Sequence, residues 1–319
     1  MDKSDLPFLS AGELSRLIQA KQVSPVEATE AYLDRIDALD FRFNSYLTVM
    51  RDQALADAHQ AEADLTDGNI HGSLHGVPVA VKDQFWSKGN RPTGGSRFLL
   101  DFVPDDDATV IANLKKAGAI VLGKANLSEW ANFRSTRSSS GWSGRGGQCR
   151  NPYVLDRNPC GSSSGSGVGV SANLVAVAIG TETDGSVVCP ASANGIVGIK
   201  PTVGLVSRAG VIPISHTQDT AGPMARTVRD AAIVLGAIAG VDPRDPATAE
   251  SETRGLVDYT PFLDAGGLRG MRIGVARRFL GFHAAVDQVV ETAIEAMGAA
   301  GAVVVDPVDL RPSGRPAAA

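Results

Sequence analysis

The first third of the chain carries apolar residues at helical spacing. Two capping boxes open the pattern, Ser10 with Glu13 and Ser24 with Glu27, and Pro25 follows the second cap at the first helical position. Each cap supplies an acceptor for backbone N–H groups that a helix leaves unpaired. An apolar stripe comes after the second box, formed by Ala28, Tyr32, Ile36 and Leu39. We therefore predict N-terminal helices that pack against a core.

From residue 77 onward, short apolar runs alternate with stretches of helical periodicity. The predicted strands cover 77–81, 119–122, 174–179, 271–276 and 302–305, and the predicted helices cover 107–118, 228–239 and 283–300. Strands that alternate with helices predict an α/β layered fold around a largely buried sheet.

Composition and charge exclude several classes of function. Of the 319 residues, 43% are hydrophobic and 20% are charged, and the net charge of −5 leaves no basic surface for nucleic acid. The sequence has neither a run of about 18 apolar residues for a membrane span nor the apolar core of a signal peptide. The cysteines, Cys149, Cys160 and Cys189, form an odd set without C-x-x-C spacing. We therefore expect no disulfide framework and a cytoplasmic location.

Many of the 35 glycines cluster in mid-chain, around two serine-containing segments. The first is the stretch CGSSSGSGV at 160–168. Its composition is typical of a flexible linker, but it leads into an apolar run, and it can instead bring backbones and hydroxyls close together. The second is GTETDGS at 180–186, which follows the strand predicted over 174–179. It reads as an ordinary Asp-Gly turn or as a nest of N–H groups that binds an anion.

Lys82 is a third candidate, because it ends the apolar run VPVAV. A lysine at such a position usually lies at the surface with its amine in water. To act as a base at neutral pH, it needs a pKa about three units below its usual value of about 10.4, and burial can cause such a shift. The apolar run before Lys82 makes burial plausible.

Other catalytic patterns have less support in the sequence. The residues 161–165 spell G-x-S-x-G around Ser163, but the preceding RNPYVLDRNPC is a poor strand for a nucleophile elbow. Residue order leaves a Ser-His-Asp triad open, and of the five histidines His216 could approach the site. Ligand spacing for a metal and glycine motifs for a nucleotide are both missing. We expect no metal and no cofactor.

The motifs resemble those of the amidase signature family over residues 76–230. The family core P-G-G-S-S-G-G-S resembles the run 159–166, in which Cys160 and Ser164 replace two glycines. GTETDGS resembles the nucleophile motif, and the family's V-K-D resembles 81–83. The stretches GKANLSEWANFRS and NPYVLDRNPCGSSSGSG are similar to those of bacterial peptide amidases. This resemblance implies an α/β fold with a layered mixed β-sheet core and helices on both faces.

The resemblance also implies roles for single residues. Ser186 corresponds to the nucleophile, Ser162 to the serine that follows a cis peptide bond, and Lys82 to the general base. The backbone N–H groups that would form the oxyanion hole belong to Thr183, Asp184, Gly185 and Ser186. Supporting positions around this Ser-(cis)Ser-Lys triad are Ser163 and Thr181. The implied reaction is hydrolysis of a carboxylic amide or a peptide C-terminal amide through an acyl-enzyme, with a small amide or short peptide as partner.

Two other functions stay open beside this one. The same fold serves amidotransferase subunits that hydrolyse glutamine, and a shortened chain could be a non-catalytic remnant. Members of the family usually continue for well over a hundred residues beyond this sequence, so we expect a truncated product with an uncovered sheet edge and an apolar patch. Nucleic acid and membrane are not expected as partners.

The expected organisation is one amidase domain over 1–305. It comprises N-terminal helices at 10–66, a catalytic core at 76–230 and a partial C-terminal region at 231–305. A disordered tail is expected at 306–319, because RPSGRPAAA cannot build a core.

Overall fold

The structure, a computed structural model, describes residues 2–310. It has two units, Met1–Thr260 and Pro261–Ala319, and the single domain expected over 1–305 stays a prediction. No helix in the described part is long and apolar enough to cross a bilayer. Short 3₁₀ helices cover Lys3–Phe8, Arg97–Leu99, Glu129–Asn132, Pro246–Glu250, Thr260–Phe262 and Arg277–Phe279.

The N-terminal helices form as their capping boxes predict. The elements are α1 (Ala11–Gln19), α2 (Pro25–Phe43), β1 (Tyr46–Val49) and α3 (Arg51–Thr66). The Ser10 and Ser24 hydroxyls accept the third N–H of α1 and α2, and both boxes are complete. From the predicted stripe, Ala28, Tyr32 and Ile36 are buried in the core, and Leu39 packs partly buried against it.

The first unit continues with strands and helices that alternate. They are β2 (Pro78–Lys82), α4 (Thr109–Lys116), β3 (Ile120–Ala125), β4 (Trp142–Ser143), β5 (Gly147–Gln148), α5 (Ser164–Ser171), β6 (Val177–Glu182), α6 (Val188–Ala193), β7 (Val197–Gly198), β8 (Thr220–Ala225), α7 (Val228–Ile238) and α8 (Ser251–Arg254). The strands β4 and β5 form a separate antiparallel pair. The other six form one sheet in the order β1-β3-β2-β6-β8-β7.

The central sheet is mixed. Its middle strand β2 runs parallel to β3 and β6, whereas β1, β8 and β7 pair antiparallel with their neighbours. Every residue of β2, β3 and β6 is buried, which is expected for parallel strands covered by helices. A mixed sheet flanked by helices confirms the predicted α/β layered fold.

Strand β6 begins and ends later than predicted. The apolar run suggested 174–179, but the strand spans Val177–Glu182. The reason is its pairing with β8, whose register continues to the pair of Glu182 and Thr220. The first three residues of GTETDGS are therefore part of the sheet, and the turn itself is shorter.

The second unit is a small β-α-β arrangement. It contains β9 (Arg272–Gly274), α9 (Ala284–Ala299) and β10 (Val303–Val305), with β9 and β10 parallel. Arg277 forms ion pairs with Glu291 and Asp306. Of the predicted tail, 306–310 is described, and the Val308 N–H donates to the Val275 carbonyl over 2.8 Å. The rest of that prediction lies outside the described residues. Phe282 and Val289 are among the exposed apolar side chains.

Candidate active site

Lys82 lies at the end of the middle strand and is fully buried. Its Nζ donates to the Ser162 Oγ over 2.7 Å, to the Thr181 Oγ1 over 2.8 Å and to the Thr181 carbonyl over 3.3 Å. Within the described residues Lys82 forms no ion pair. Burial lowers its pKa well below the usual value, and the carboxylates of Asp219 and Glu182 oppose the shift only in part. The ammonium form therefore loses its proton more easily than that of an exposed lysine, which is the direction that a general base requires.

Ser162 is fully buried and follows a cis peptide bond from Gly161, as the resemblance implied. Its carbonyl accepts the Ser128 N–H over 3.1 Å. A side chain on Gly161 would meet the Ser128 Oγ at 2.3 Å, so only glycine fits at this position. These contacts hold the Ser162 hydroxyl against the amine of Lys82.

The glycine- and serine-rich segment is packed and is not a linker. All residues from 161 to 170 are buried, and those from Ser164 onward form α5. A Cβ on Gly165 would lie 2.2 Å from the Ser45 carbonyl and 2.6 Å from the Asn126 N, so backbones approach closely there. The segment is helical after Ser163, but residues 149–163, between β5 and α5, contain no strand that leads into the turn. The elbow interpretation of G-x-S-x-G is therefore wrong for this chain.

Ser163 and Thr181 tie this segment to strand β6. The Ser163 hydroxyl donates to the Thr181 carbonyl over 3.1 Å and accepts the Thr181 N–H over 3.2 Å. The Thr181 hydroxyl accepts from Lys82 and donates to the Gln84 Oε1 over 2.9 Å. The two predicted supporting residues thus lie beside the buried amine and connect it to the sheet.

Ser186 lies in the turn that follows β6, next to the serine segment. It is 6% exposed, and its carbonyl accepts the Ser163 N–H over 3.1 Å. Gly185, just before it, has a φ of 77°, which favours glycine. Within residues 2–310 the Ser186 hydroxyl makes no hydrogen bond, so the contact between the serine hydroxyls that a relay needs is not formed in this structure.

Glu182 is a site residue that the sequence interpretation missed. Its Oε1 accepts the Gly185 N–H over 2.9 Å, and its Oε2 accepts the N–H groups of Val187 and Val188 over 2.7 and 2.9 Å. Of the N–H groups expected in the oxyanion hole, that of Gly185 is therefore engaged. Those of Thr183, Asp184 and Ser186 have no partner in the described part of the chain. The sequence signal that could have identified Glu182 is a carboxylate within GTETDGS, just before the turn.

Asp219 and Gln84 are further polar residues that the sequence did not single out. Asp219 accepts the Thr183 hydroxyl over 2.5 Å and the N–H groups of Ile214 and Ser215 over 2.8 Å each. The Gln84 amide donates to the Ile212 carbonyl over 3.2 Å. These contacts fix the loop before β8 beside the turn that contains Ser186.

The structure corrects the expectation about cysteines. Cys160 and Cys189 form a disulfide, with Cα atoms 6.0 Å apart, and Cys149 is free and buried. The expectation rested on sequence spacing, but the serine segment and the start of α6 meet only in the folded chain. The bond links the stretch before Ser162 to the stretch after Ser186. The cytoplasmic location stays a prediction.

Histidines do not enter the site. The His71 and His75 rings contact Asp64 and the Ala61 carbonyl, and His216 contributes its carbonyl to Arg208. Among the described residues no histidine ring bonds to a serine, so a Ser-His-Asp triad has no support. In the same part of the chain, no group of His, Cys, Asp or Glu side chains is arranged to hold a metal ion.

Comparisons with known proteins identify the family of the chain. The family described as Amidase matches residues 27–315. A probable amidase of Arabidopsis thaliana is 48% identical over 261 residues, which is 81% of this chain and 51% of that protein. A glutamyl-tRNA(Gln) amidotransferase subunit of Carboxydothermus hydrogenoformans is 41% identical over 301 residues, 94% of this chain and 60% of that one.

This chain is also similar to a solved structure. The native peptide amidase from Stenotrophomonas maltophilia superposes with a TM-score of 0.89 at 51% identity, covering 94% of this chain and 62% of that one. The chain thus spans between half and two thirds of the length of these three proteins. The family match, the identities and the shared fold agree, and the chain belongs to the amidase signature family.

Proposed function

We propose that the protein hydrolyses amides with Ser186 as nucleophile, Ser162 as proton relay and Lys82 as base. The observation that carries the proposal is the buried contact of 2.7 Å between the Lys82 Nζ and the Ser162 Oγ. A lysine with hydroxyl neighbours and a strongly lowered pKa is suited to base chemistry. Among the described residues no carboxylate lies within ion-pair distance of the Lys82 amine to keep it charged. A serine hydroxyl needs such a base to become a nucleophile.

The proposed reaction starts with attack of the Ser186 Oγ on the amide carbon. The Ser186 proton moves to the Ser162 Oγ, and the Ser162 proton moves to the Lys82 Nζ. The tetrahedral intermediate then breaks its C–N bond while the same path returns a proton to the leaving nitrogen. Water attacks the resulting ester, again deprotonated through Ser162, and the acid leaves with Ser186 restored. For this relay the Ser186 hydroxyl has to rotate or shift toward Ser162 when substrate binds.

We place the oxyanion of the intermediate at the turn before α6. The candidate donors are the N–H groups of Thr183, Asp184 and Ser186, because the Gly185 N–H donates to Glu182. Free donors that are held in place before the reaction stabilise developing charge more than donors that must reorganise. Loss of one such donor typically costs about 2.7–4 kcal/mol in the barrier.

The proposed substrate is a carboxylic amide or a peptide C-terminal amide, from which the enzyme releases ammonia or an amine. Support comes from the 51% identity to a peptide amidase structure. A dipeptide amide and a simple aliphatic amide should therefore be tested with the purified chain, by measuring ammonia. An alkyl fluorophosphonate, which reacts with activated serines, reports on the nucleophile without assuming a substrate.

We expect the probe to label Ser186. Labelling and ammonia release should be lost in Ser186→Ala and in Lys82→Ala, and retained in Lys116→Ala, which removes an exposed lysine of α4. Labelling that persists in Lys82→Ala would contradict Lys82 as the base. A folded wild-type chain that neither labels nor releases ammonia would support the non-catalytic remnant.

A second candidate is a glutamine-hydrolysing amidotransferase subunit. The observation in its favour is the 41% identity over 301 residues to a glutamyl-tRNA(Gln) amidotransferase subunit. The chemistry at Ser186 would be the same, so the substrate decides between the two. Ammonia release from glutamine, with or without added partner subunits, and none from peptide amides would favour this candidate.

A further inference from the structure

We propose that Glu182 is a positioning residue that sets the nucleophile turn, by binding the backbone on both sides of Ser186 and leaving the Ser186 N–H free for the oxyanion. The inference rests on the proposed function, because it gives a catalytic meaning to the shape of this turn. Glu182 contacts neither the Lys82 amine nor the serine hydroxyls by hydrogen bond within the described residues. It acts through the backbone.

The contacts of Glu182 surround the nucleophile. One carboxylate oxygen accepts the N–H of Gly185, the residue before Ser186, over 2.9 Å. The other accepts the N–H of Val187, the residue after Ser186, over 2.7 Å, together with that of Val188 over 2.9 Å. Two oxygens thus engage three backbone donors, and the donor that they leave between them is the Ser186 N–H.

The location of Glu182 makes this arrangement rigid. Glu182 is the last residue of β6, paired with Thr220 of β8, and it is only 4% exposed. A buried carboxylate that accepts several backbone N–H groups is a strong, charge-assisted anchor. The positive φ of Gly185 lets the chain turn back within hydrogen-bond reach of the strand end. The sheet therefore fixes the turn through one side chain.

A purely structural role would give a different result from a positioning role. A helix cap contributes to stability, and its loss leaves kcat of the folded enzyme unchanged. If Glu182 positions the Ser186 N–H, its loss lowers kcat more than it changes KM, since the oxyanion forms only during the reaction. Comparing the change in kcat with the change in KM therefore distinguishes a structural role from a positioning role.

The charge of Glu182 supplies a second readout. Asp219 and Glu182 are the charged groups that raise the pKa of Lys82, against the larger lowering by burial. Removing the charge of Glu182 should lower that pKa further. Because the base works as the neutral amine, the acidic limb of kcat/KM should then move to lower pH.

The experiment compares Glu182→Gln and Glu182→Asp with wild type in kcat, KM, pH profile and thermal melting. Glutamine keeps the length but loses the charge, and its NH₂ faces backbone donors. Aspartate keeps the charge but is too short to bind both sides of Ser186. The control is Glu27→Gln, because Glu27 also accepts a backbone N–H, that of Ser24 over 2.9 Å, at a helix start outside the site.

We expect kcat to fall about 10- to 100-fold in both Glu182 variants, with KM within about threefold, and Glu27→Gln to match wild type. The acidic limb should move to lower pH in Glu182→Gln only. A kcat within about twofold of wild type in the folded Glu182 variants would overturn the proposal. So would a loss that appears only as a lower melting temperature.

Two further measurements keep the test decisive. Amide exchange in the wild-type chain needs no variant: the Gly185 and Val187 N–H groups should exchange more slowly than that of Ser186, and equal rates would overturn the proposal. If no amide is hydrolysed, the rate of fluorophosphonate labelling at Ser186 takes the place of kcat. A slow rate in Glu182→Gln then supports the role of Glu182, even though the proposed substrate class has failed.

Discussion

Lys82 is the last residue of β2, and Lys124 is the last but one of the neighbouring parallel strand β3. Both side chains are fully buried, yet their surroundings differ. Lys124 pairs in register with Val81, the residue before Lys82, so the two lysines leave opposite faces of the sheet. Lys82 meets hydroxyls and one carbonyl. Lys124 donates to the Phe85 carbonyl and lies near the buried carboxylate of Asp83.

The difference decides what each amine can do. Burial lowers both pKa values, that of Lys124 to about 8 because Asp83 partly compensates, and that of Lys82 well below its usual range. The same sheet thus carries one lysine suited to accept a proton and one that balances a carboxylate. Burial alone does not make a base; the neighbours decide whether the amine stays charged.

Replacing each lysine in turn by methionine tests this difference most directly. Lys82→Met should have the larger effect. We expect kcat/KM to fall about 10²–10⁴-fold, since the proposed general base is removed. The free energy of unfolding should change by no more than about 1–2 kcal/mol, because Lys82 forms no ion pair within the described residues and only its hydrogen bonds are lost. Steady-state kinetics and urea unfolding measure both. A loss of stability that accounts for the loss of activity would contradict a catalytic role.

Lys124→Met should show the reverse pattern. It removes a cation near the buried carboxylate of Asp83 and leaves Arg145, whose guanidinium is 3.5 Å away, as the ion-pair partner. Because one partner remains, we expect the free energy of unfolding to fall by less than the about 3–5 kcal/mol that an uncompensated buried charge costs. The measurement is urea unfolding. The double variant Lys124→Met/Asp83→Asn should lose less than Lys124→Met alone, since Asn removes the carboxylate charge that Lys124 helps to compensate. Equal losses would show that Lys124 does not compensate Asp83.

The sequence predicts the strands that carry the two lysines better than it predicts what surrounds each amine. Apolar runs and capping boxes gave the strands and the N-terminal helices, because burial follows local periodicity. Lys82 and Lys124 look alike locally, since each comes at or near the end of an apolar run. The apolar run made Lys82 a candidate, but only the resemblance gave it a partner, Ser162, which is 80 positions away in sequence. Such contacts depend on how distant segments meet.

The same limit explains the residues that were missed. Glu182 and Asp219 act on backbone N–H groups, which every residue carries, so no motif of partner side chains marks them. The disulfide was missed because Cys160 and Cys189 meet across the serine segment and α6. Side chains that organise backbone are less visible in a sequence than side chains that organise one another.

The disulfide belongs to the region around Lys82, because it links the stretch before Ser162 to the stretch after Ser186. Cys160 and Cys189 are 29 positions apart, and a loop of that length corresponds to about 3.5 kcal/mol of chain-entropy stabilisation. We expect reductant to lower the melting temperature of wild type. The melting temperature of the double variant Cys160→Ala/Cys189→Ala should not change when reductant is added. Cys149→Ala, which retains the bond, should keep the response to reductant. If reductant has no effect on wild type, the bond does not stabilise the fold.

The smallest expected effect concerns the charge that most opposes the lowered pKa of Lys82, which is that of Asp219. Asp219→Asn removes it, so the pKa of Lys82 should fall further and the acidic limb of kcat/KM should move to lower pH. The expected shift is below about one pH unit, or about 1.4 kcal/mol. The reason for the sign is that the base acts as the neutral amine, whose fraction increases above its pKa. Asp37→Asn, which removes an exposed carboxylate paired with Arg51, should leave the limb in place. A shift to higher pH in Asp219→Asn would mean that the titrating group is not a base held near this carboxylate, and Lys82 would lose its assigned role in the pH profile.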